Sequence, residues 1–465
     1  MLIKPYYLTC LAHASYLIGD ERTGTAAVID PQRDVDAYVQ DAQARGLRIA
    51  HVLLTHLHAD FASGHLELAA RCGATIHIGA AARTDYASHA LRDGDVLEFG
   101  DVRLVALATP GHTPESTTYA LYDLAVDAQR PHALFTGDTL FIGDIGRPDL
   151  LVSVGMSAEQ LASLAYDSLR NKILPLPDET LVYPAHGAGS ACGKSLSKET
   201  SSTLGLQKRV NWALQPLSRE AFVRELTSEQ PAAPAYFAFD ARLNSQLKPT
   251  LDEALARALT PLSLEQLLER ERDGAVVLDT REPDDFAPRH LRGSTNIGLS
   301  GKYAHWCGSL LDPRRALVLI APRGRERESA VRLGRIGFDN VVGFLADGID
   351  ALAARPDLLR GHVRIDPHEL EQLLRGAQPP LVVDVRATNE WNAGHIDGAR
   401  NEPLPQLREL ARNLPRDRQL VIQCQGGYRS SIAASLLEQA GFTQLLDLRG
   451  GWAAWDAHRR AGSRS

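Results

Sequence analysis

Thr55-His56-Leu57-His58-Ala59-Asp60-Phe61 is the stretch whose reading decides the fold. The apolar run over residues 49–55 reads as a buried strand, and it opens straight into these histidines. Three further groups follow the same grammar, each at the end of a short apolar run. They are Thr109-Pro110-Gly111-His112-Thr113, Phe135-Thr136-Gly137-Asp138-Thr139 and Tyr183-Pro184-Ala185-His186-Gly187. A lone histidine is more often a satisfied core or surface residue than a ligand. Four such groups at strand ends, in this order, point to one constellation. Two imidazoles and a carboxylate suit a divalent first-row metal. Gly111, Gly137 and Gly187 let the backbone turn tightly so that the side chains converge.

Around this core, residues 15–19 and 25–30 read as hairpin strands, and 35–45 as an amphipathic helix that Gly46 can cap. Residues 75–79 and 102–108 read as further strands, so the N-terminal half carries its polar chemistry on loops at strand ends. The C-terminal half repeats itself. Val276-Val277-Leu278-Asp279-Thr280-Arg281 matches Leu381-Val382-Val383-Asp384-Val385-Arg386. Asp279, Arg281, Phe286, His290, Gly293 and Asn296 return as Asp384, Arg386, Trp391, His395, Gly398 and Asn401, each 105 positions on (279 to 384, 296 to 401). Within each copy, strand-like runs alternate with helical patterns, as in a parallel α/β sheet.

The histidine groups resemble the metallo-β-lactamase fold family, whose motif is HxHxDH followed by a distant His, an Asp and a last His. One departure carries information. The sixth motif position, an imidazole to the second metal in binuclear members, is Phe61. Phenylalanine cannot ligate, so a mononuclear site is expected. Gly137-Asp138-Thr139-Leu140-Phe141-Ile142-Gly143, Gly146-Arg147-Pro148-Asp149, and Ser202-Thr203-Leu204-Gly205 with Asn211 downstream are similar to the persulfide dioxygenase branch. That resemblance implies one Fe(II) per chain on His56, His112 and Asp138, a 2-His-1-carboxylate face with open positions. His58, Asp60 and His186 are expected to orient ligands and water rather than to bind, although His58 is a ligand in binuclear relatives. The resemblance assigns Arg147 and Asp149 to the thiol carrier, where a guanidinium can clamp a carboxylate of glutathione. An ordinary loop ion pair between them is the competing reading. Cys192, without an evident partner, reads as a small buried residue.

In the second repeat, the run 420–423 leads into Cys424-Gln425-Gly426-Gly427-Tyr428-Arg429-Ser430 and then a helical segment. A thiol at such a turn faces backbone N–H groups and the positive end of a helix, both of which favour thiolate. The two glycines let the amides curl inward as an anion nest. The loop resembles the active loop of the rhodanese family, which implies sulfur transfer by Cys424 with Arg429 closing the cradle. Four residues rather than five separate Cys from Arg, one fewer than in phosphatase loops. The first repeat reads Ala321-Pro322-Arg323-Gly324-Arg325-Glu326 at this place, and Cys307 lies outside it. That copy is expected to be catalytically silent.

Length and composition bound the rest. With 465 residues, 44% hydrophobic and 23% charged, the chain has room for roughly three domains of about 150 residues. Apolar content excludes disorder. Fifty Lys+Arg against 57 Asp+Glu, net −7, leave no basic face for nucleic acid. No apolar run approaches the roughly 18 residues of a membrane span. Five scattered cysteines make no disulfide framework, and MLIKPYYLTC lacks the pattern of a secretory signal, so a cytoplasmic protein is expected.

The expected architecture is α/β throughout. A metallo-β-lactamase αββα sandwich (1–240) and a linker (241–261) precede a silent rhodanese-like domain (262–358) and an active rhodanese domain (362–462), each with a parallel sheet. The expected activity is oxidation of a low-molecular-weight thiol persulfide by O₂ to sulfite and thiol, coupled to sulfur exchange among persulfide, thiosulfate, thiol and sulfite. No nucleic-acid or membrane partner is expected, and a homo-oligomer is compatible with this reading. The alternatives are a zinc glutathione thioesterase of the hydroxyacylglutathione hydrolase type with a sulfurtransferase tail, and a non-catalytic sulfane-sulfur carrier or sensor.

Overall fold

The computed structural model describes residues 1–150, 155–194, 196–228, 234 and 236–462. The chain divides into an N-terminal unit, Met1–Asp252 with Leu333–Asp339, and a C-terminal unit, Glu253–Arg332 with Asn340–Ser465.

Two six-stranded sheets build the N-terminal unit. The first runs in sequence order β1 (Leu2–Leu8), β2 (His13–Asp20), β3 (Thr25–Ile29), β4 (Arg48–Leu54), β5 (Thr75–Gly79) and β6 (His89–Leu91). The second contains β7 (Val96–Phe99), β8 (Val102–Ala108), β9 (Thr117–Asp123), β10 (Ala133–Gly137), β11 (Leu181–Pro184) and β12 (Ser202–Thr203), in spatial order β12-β11-β10-β9-β8-β7. Strand alternation explains the layering. Tyr16, Ile18, Ala27, Ile29 and Leu53 meet Leu104, Ala106, Tyr119, Leu121 and Phe135 between the sheets. Their neighbours Leu17, Ala26, Val28 and Val52 point the other way, against Tyr38, Ala42 and Leu68 of the helices Asp36–Ala44 and His65–Cys72. On the outer face of the second sheet, Ala120, Leu134 and Val182 pack with Leu161's helix neighbours Ala162 and Ala165 and with Phe222. This is the αββα sandwich that the sequence implies.

The C-terminal unit holds the two repeats. In the first, β13 (Pro261–Leu262), β14 (Val276–Asp279), β16 (Thr295–Asn296), β17 (Leu317–Ile320) and β18 (Val341–Leu345) form a parallel sheet ordered β13-β18-β17-β14-β16, while β15 (His290–Leu291) pairs separately with β19 (Leu359–Arg360). In the second, β20 (Val363–Ile365), β21 (Leu381–Asp384), β22 (Arg400–Asn401), β23 (Leu420–Gln423) and β24 (Leu445–Leu448) take the same parallel order, β20-β24-β23-β21-β22. The side chains that betray the repeat do the same work in both copies. Asn296 donates to the carbonyls of Asp279 and Arg281, as Asn401 does to those of Asp384 and Arg386. Phe286 stacks on His290 at 4.0 Å, as Trp391 stacks on His395 at 3.7 Å.

The structure departs from the sequence expectation between the halves. The Pro/Ala-rich stretch 229–233 lies outside the described residues. Within the expected linker, 241–261, helix Leu251–Ala258 stands where the sequence predicts one, and the departure is helix Phe237–Ser245, most of which also falls there. The latter helix belongs to the N-terminal unit, because its Asn244 is fully buried in the loop that follows β4. Polar spacing in the sequence hides that role, since only tertiary contact makes Asn244 a core residue.

Candidate metal centre and cysteine loop

His56, His112 and Asp138 come together at the strand ends, with one ligand atom of each within 4.8 Å of the others. All three are buried. Asp138 Oδ2 lies 3.4 Å from His112 Nε2 and 3.9 Å from His56 Nε2. It accepts no hydrogen bond although it is enclosed. The far nitrogens explain the geometry. His112 Nδ1 donates to the Arg147 carbonyl at 2.7 Å. His56 Nδ1 donates to Thr55 Oγ1 at 3.0 Å, and that hydroxyl in turn donates to Asp30 Oδ2 at 2.7 Å. Both Nε2 lone pairs therefore face one orphaned carboxylate oxygen, the donor set a cation would complete. Burial pushes the proton affinity of His56 well below that of an ordinary histidine, so it stays neutral as a ligand must. The residues fit a single metal ion.

His58, Asp60 and His186 form a second group, also within 4.8 Å of one another. His186 bridges two carboxylates, with Nδ1 2.7 Å from Asp138 Oδ1 and Nε2 2.9 Å from Asp60 Oδ2. Burial opposes protonation of His186, but those two carboxylates outweigh it and hold the imidazole's proton affinity above the ordinary value. His58 Nε2 faces Asp30 at 3.0 Å. Phe61 fills the place beside them, its ring 4.5 Å from that of His58 and 4.0 Å from that of His13.

Several members of this site escape sequence reasoning. Asp30 sits at φ +49, a strained conformation for a non-glycine residue, and accepts from both the N–H and the hydroxyl of Thr55. Asn244 donates to the carbonyls of His58 and Phe61 at 2.8 and 2.7 Å and accepts from Ser63 N. His13 is buried, and neither ring nitrogen has a hydrogen-bond partner among the described residues. Cys192, read from sequence as partnerless, lies within reach of Asp138 and His186. Gly137, at φ +53, leaves no space for a Cβ, which would lie 2.5 Å from Thr55 Oγ1.

Arg147 does not stand free to clamp a carrier. Its guanidinium is 2% exposed and closed bidentately on Asp149, at 2.7 and 2.6 Å. The loop ion pair is what the structure contains, and Arg147 acts on the site through its carbonyl. A cleft of about 630 Å³ borders the metal loops, lined by Leu57, Arg83, Pro114, Glu115, Met156 and Arg242.

Cys424 follows β23, 1% exposed, at the foot of helix Arg429–Gln439. Its sulfur accepts from Gly427 N–H at 3.1 Å and lies 3.7 Å from Ser430 Oγ. Gly427 is at φ +90, a backbone that favours glycine. Trp452 N–H donates to the Cys424 carbonyl at 2.7 Å, and a Cβ on Gly451 would overlap that carbonyl. Arg429, expected to close the cradle, is held bidentately by Glu390 at 2.7 Å on both arms. In the first repeat Ala321 occupies the position that follows β17, with Gly324 at φ +82 matching Gly427. Cys307 is fully buried in helix Tyr303–Leu310, and burial pushes its thiol far up.

Comparison with known proteins agrees with this geometry. The model described as the metallo-beta-lactamase superfamily matches residues 8–186, and that of the rhodanese-like domain matches 260–355 and 366–458. The chain is 35% identical over 181 residues to the bovine (Bos taurus) mitochondrial persulfide dioxygenase ETHE1, covering 37% of this chain and 63% of that protein. It is 34% identical over 252 residues to a hydroxyacylglutathione hydrolase of Methylococcus capsulatus, covering 53% of this chain and 86% of that one. The crystal structure of a metallo-beta-lactamase from Staphylococcus aureus superposes with a TM-score of 0.65 at 34% identity, covering 74% of this chain and 98% of the other. The chain thus spans a little under two thirds of the length of the persulfide dioxygenases it matches. By fold, site and sequence it belongs to the metallo-beta-lactamase superfamily, with an N-terminal domain similar to persulfide dioxygenases and hydroxyacylglutathione hydrolases alike, followed by two rhodanese-like domains.

Proposed function

We propose that this chain is an iron persulfide dioxygenase joined to a sulfurtransferase. The observation that carries the first half is Phe61, whose ring fills the place beside His58 where a second metal would need an imidazole, while the His56, His112 and Asp138 set is intact. The overall reaction is RSSH + O₂ + H₂O giving RSH, sulfite and two protons, with a thiol persulfide such as glutathione persulfide as RSSH. A bound iron would supply the redox chemistry between O₂ and the outer sulfur. The protein's own groups do the rest. The Arg147 carbonyl and Thr55 fix the two imidazoles, and His186 holds Asp138 in place. The cleft admits the carrier. Arg83 and Arg242, which have no ion-pair partner among the described residues, would take its carboxylates in preference to Arg147.

At the second site Cys424 attacks the outer sulfur of thiosulfate. The S–S bond breaks, sulfite leaves with the electron pair, and Cys424 becomes Cys–S–S⁻. A thiolate then attacks the outer sulfur and carries it off as RSS⁻, restoring the thiolate. Run in reverse, persulfide and sulfite give thiosulfate. Gly427 N–H supports the negative sulfur throughout.

A second reading has specific support. His58, Asp60 and His186 also converge, and hydroxyacylglutathione hydrolases match at similar identity, so a two-zinc thioesterase is the competitor. Anaerobically prepared protein should hold about one iron per chain and consume O₂ with glutathione persulfide. Two zinc ions with hydrolysis of S-lactoylglutathione and no O₂ uptake would overturn the dioxygenase.

A further inference from the structure

The first rhodanese-like repeat has no nucleophile, yet it lies against the loop that does. Helix Arg429–Gln439, which carries the Cys424 loop at its N-terminus, docks along β16 of the first repeat. Ser431 Oγ donates to Asn296 Oδ1 at 2.7 Å, and Asn296 N donates to Ser435 Oγ at 3.1 Å. At its far end, Gln439 donates to Gly293 O and Thr295 Oγ1, and His290 meets Glu438 at 3.0 Å.

The contacts at the near end matter more. Tyr428, inside the loop, donates its hydroxyl to the Gly298 carbonyl at 2.6 Å. Its ring lies flat on Gly301, where a Cβ would come within 2.5–2.7 Å of three ring carbons. One residue earlier, the Gly427 carbonyl accepts from Arg364 Nη2 at 3.1 Å. Arg364 in turn is paired with Asp284 of the first repeat at 2.8 Å and with Asp447 beneath the loop at 2.8 Å. Gly427 is therefore gripped on one side through Tyr428 and on the other through Arg364, and both grips end in the first repeat. Its N–H is the one that reaches the Cys424 sulfur. A glycine has many backbone conformations open to it, and a donor displaced by about 1 Å loses most of its effect on a developing charge.

We propose that the first repeat is a brace for sulfur transfer, with Gly298, Gly301 and Asp284 as positioning residues that hold the Gly427 amide on Cys424. The inference rests on the reading of Cys424 as the sulfur carrier. It predicts that the second repeat transfers sulfur well only with the first in place.

The test uses the full chain and three changes. Gly301→Ala lies wholly in the first repeat and pushes the Tyr428 ring off its seat. Tyr428→Phe removes only the hydroxyl bond. Asp284→Ala releases Arg364 from an exposed partner, and Asp284→Asn keeps an acceptor there as a rescue. Each lost hydrogen bond should lower kcat for transfer from thiosulfate to cyanide by about 2- to 12-fold. KM for thiosulfate should change less than kcat, and Asp284→Asn should recover most of the Asp284→Ala loss. Alkylation of Cys424 by iodoacetamide at one fixed pH should slow in step, while O₂ uptake on glutathione persulfide and the melting temperature stay near the parent. Parental kcat and alkylation rates in both Gly301→Ala and Asp284→Ala would overturn the brace. So would losses that appear equally in O₂ uptake, since the effect would then not be directed at the loop. A parent with no sulfur transfer at all would instead overturn the reading of Cys424.

Discussion

At the scale of single residues, two buried groups set testable behaviour. His186 bonds Asp138 at 2.7 Å without belonging to the His56, His112 and Asp138 set, so its work is to aim a carboxylate. Loss of such an outer partner commonly weakens metal affinity about 10- to 100-fold. His186→Ala should therefore keep the fold and lose its metal to a chelator at concentrations the parent withstands. Equal retention in the two proteins, measured by metal analysis after dialysis, would show that His186 does not orient the ligand. Asp447 lies beneath the cysteine loop, where burial pushes its carboxyl up to about 6 in spite of Arg364. A carboxyl raised on folding binds its proton more tightly in the native state, so stability is greatest below the unfolded value near 4 and falls as pH climbs towards 6. The loss is on the order of 3 kcal/mol. Urea midpoints of the C-terminal unit, followed by tryptophan fluorescence, should fall less, or rise more, over that window in Asp447→Asn than in the parent. The same slope in both would remove Asp447 as its cause.

Among elements, helix Phe237–Ser245 has the least obvious part. Asn244 satisfies two carbonyls and one N–H of the metal loop, groups that water cannot reach once buried. Asn244→Ala strands all three, at about 1–3 kcal/mol for each group left unsatisfied. The melting transition of the N-terminal unit should fall and the bound metal should exchange faster; unchanged values of both would mean that the loop holds itself. This helix also marks the limit of what the sequence carries. The strands 75–79 and 102–108 are legible to the residue, because period-two alternation is a local property. His56, His112 and Asp138 are legible because strand ends deliver them to one edge. Asp30, His13 and Asn244 are not, since each joins the site only through contacts between distant segments, and none stands in a motif. For Arg147 and Arg429 the sequence shows the place near the chemistry but not the neighbouring carboxylate that engages each fork.

For the whole molecule, the triad belongs to the N-terminal unit and Cys424 to the C-terminal unit, with no residue in common. Changes without shared partners act nearly independently. Cys424→Ser should abolish sulfur transfer, leave O₂ uptake on supplied persulfide near the parent, and let sulfite accumulate where the parent forms some thiosulfate. Given only thiosulfate and thiol, the variant should consume no O₂, because nothing then makes the persulfide. An oxygen electrode with both starting mixtures decides this, and loss of uptake on supplied persulfide with iron intact would show obligate coupling.

The depth of Cys424 has a last consequence. With 1% of its surface open and Gly427 N–H 3.1 Å from sulfur, Cys424 presents almost no thiol surface to bulk solvent. A sulfur atom added there would be both charge-stabilised and screened from bulk thiols, so it would leak slowly. Such a site would be a reservoir as much as a relay, its sulfur held until an acceptor reaches it.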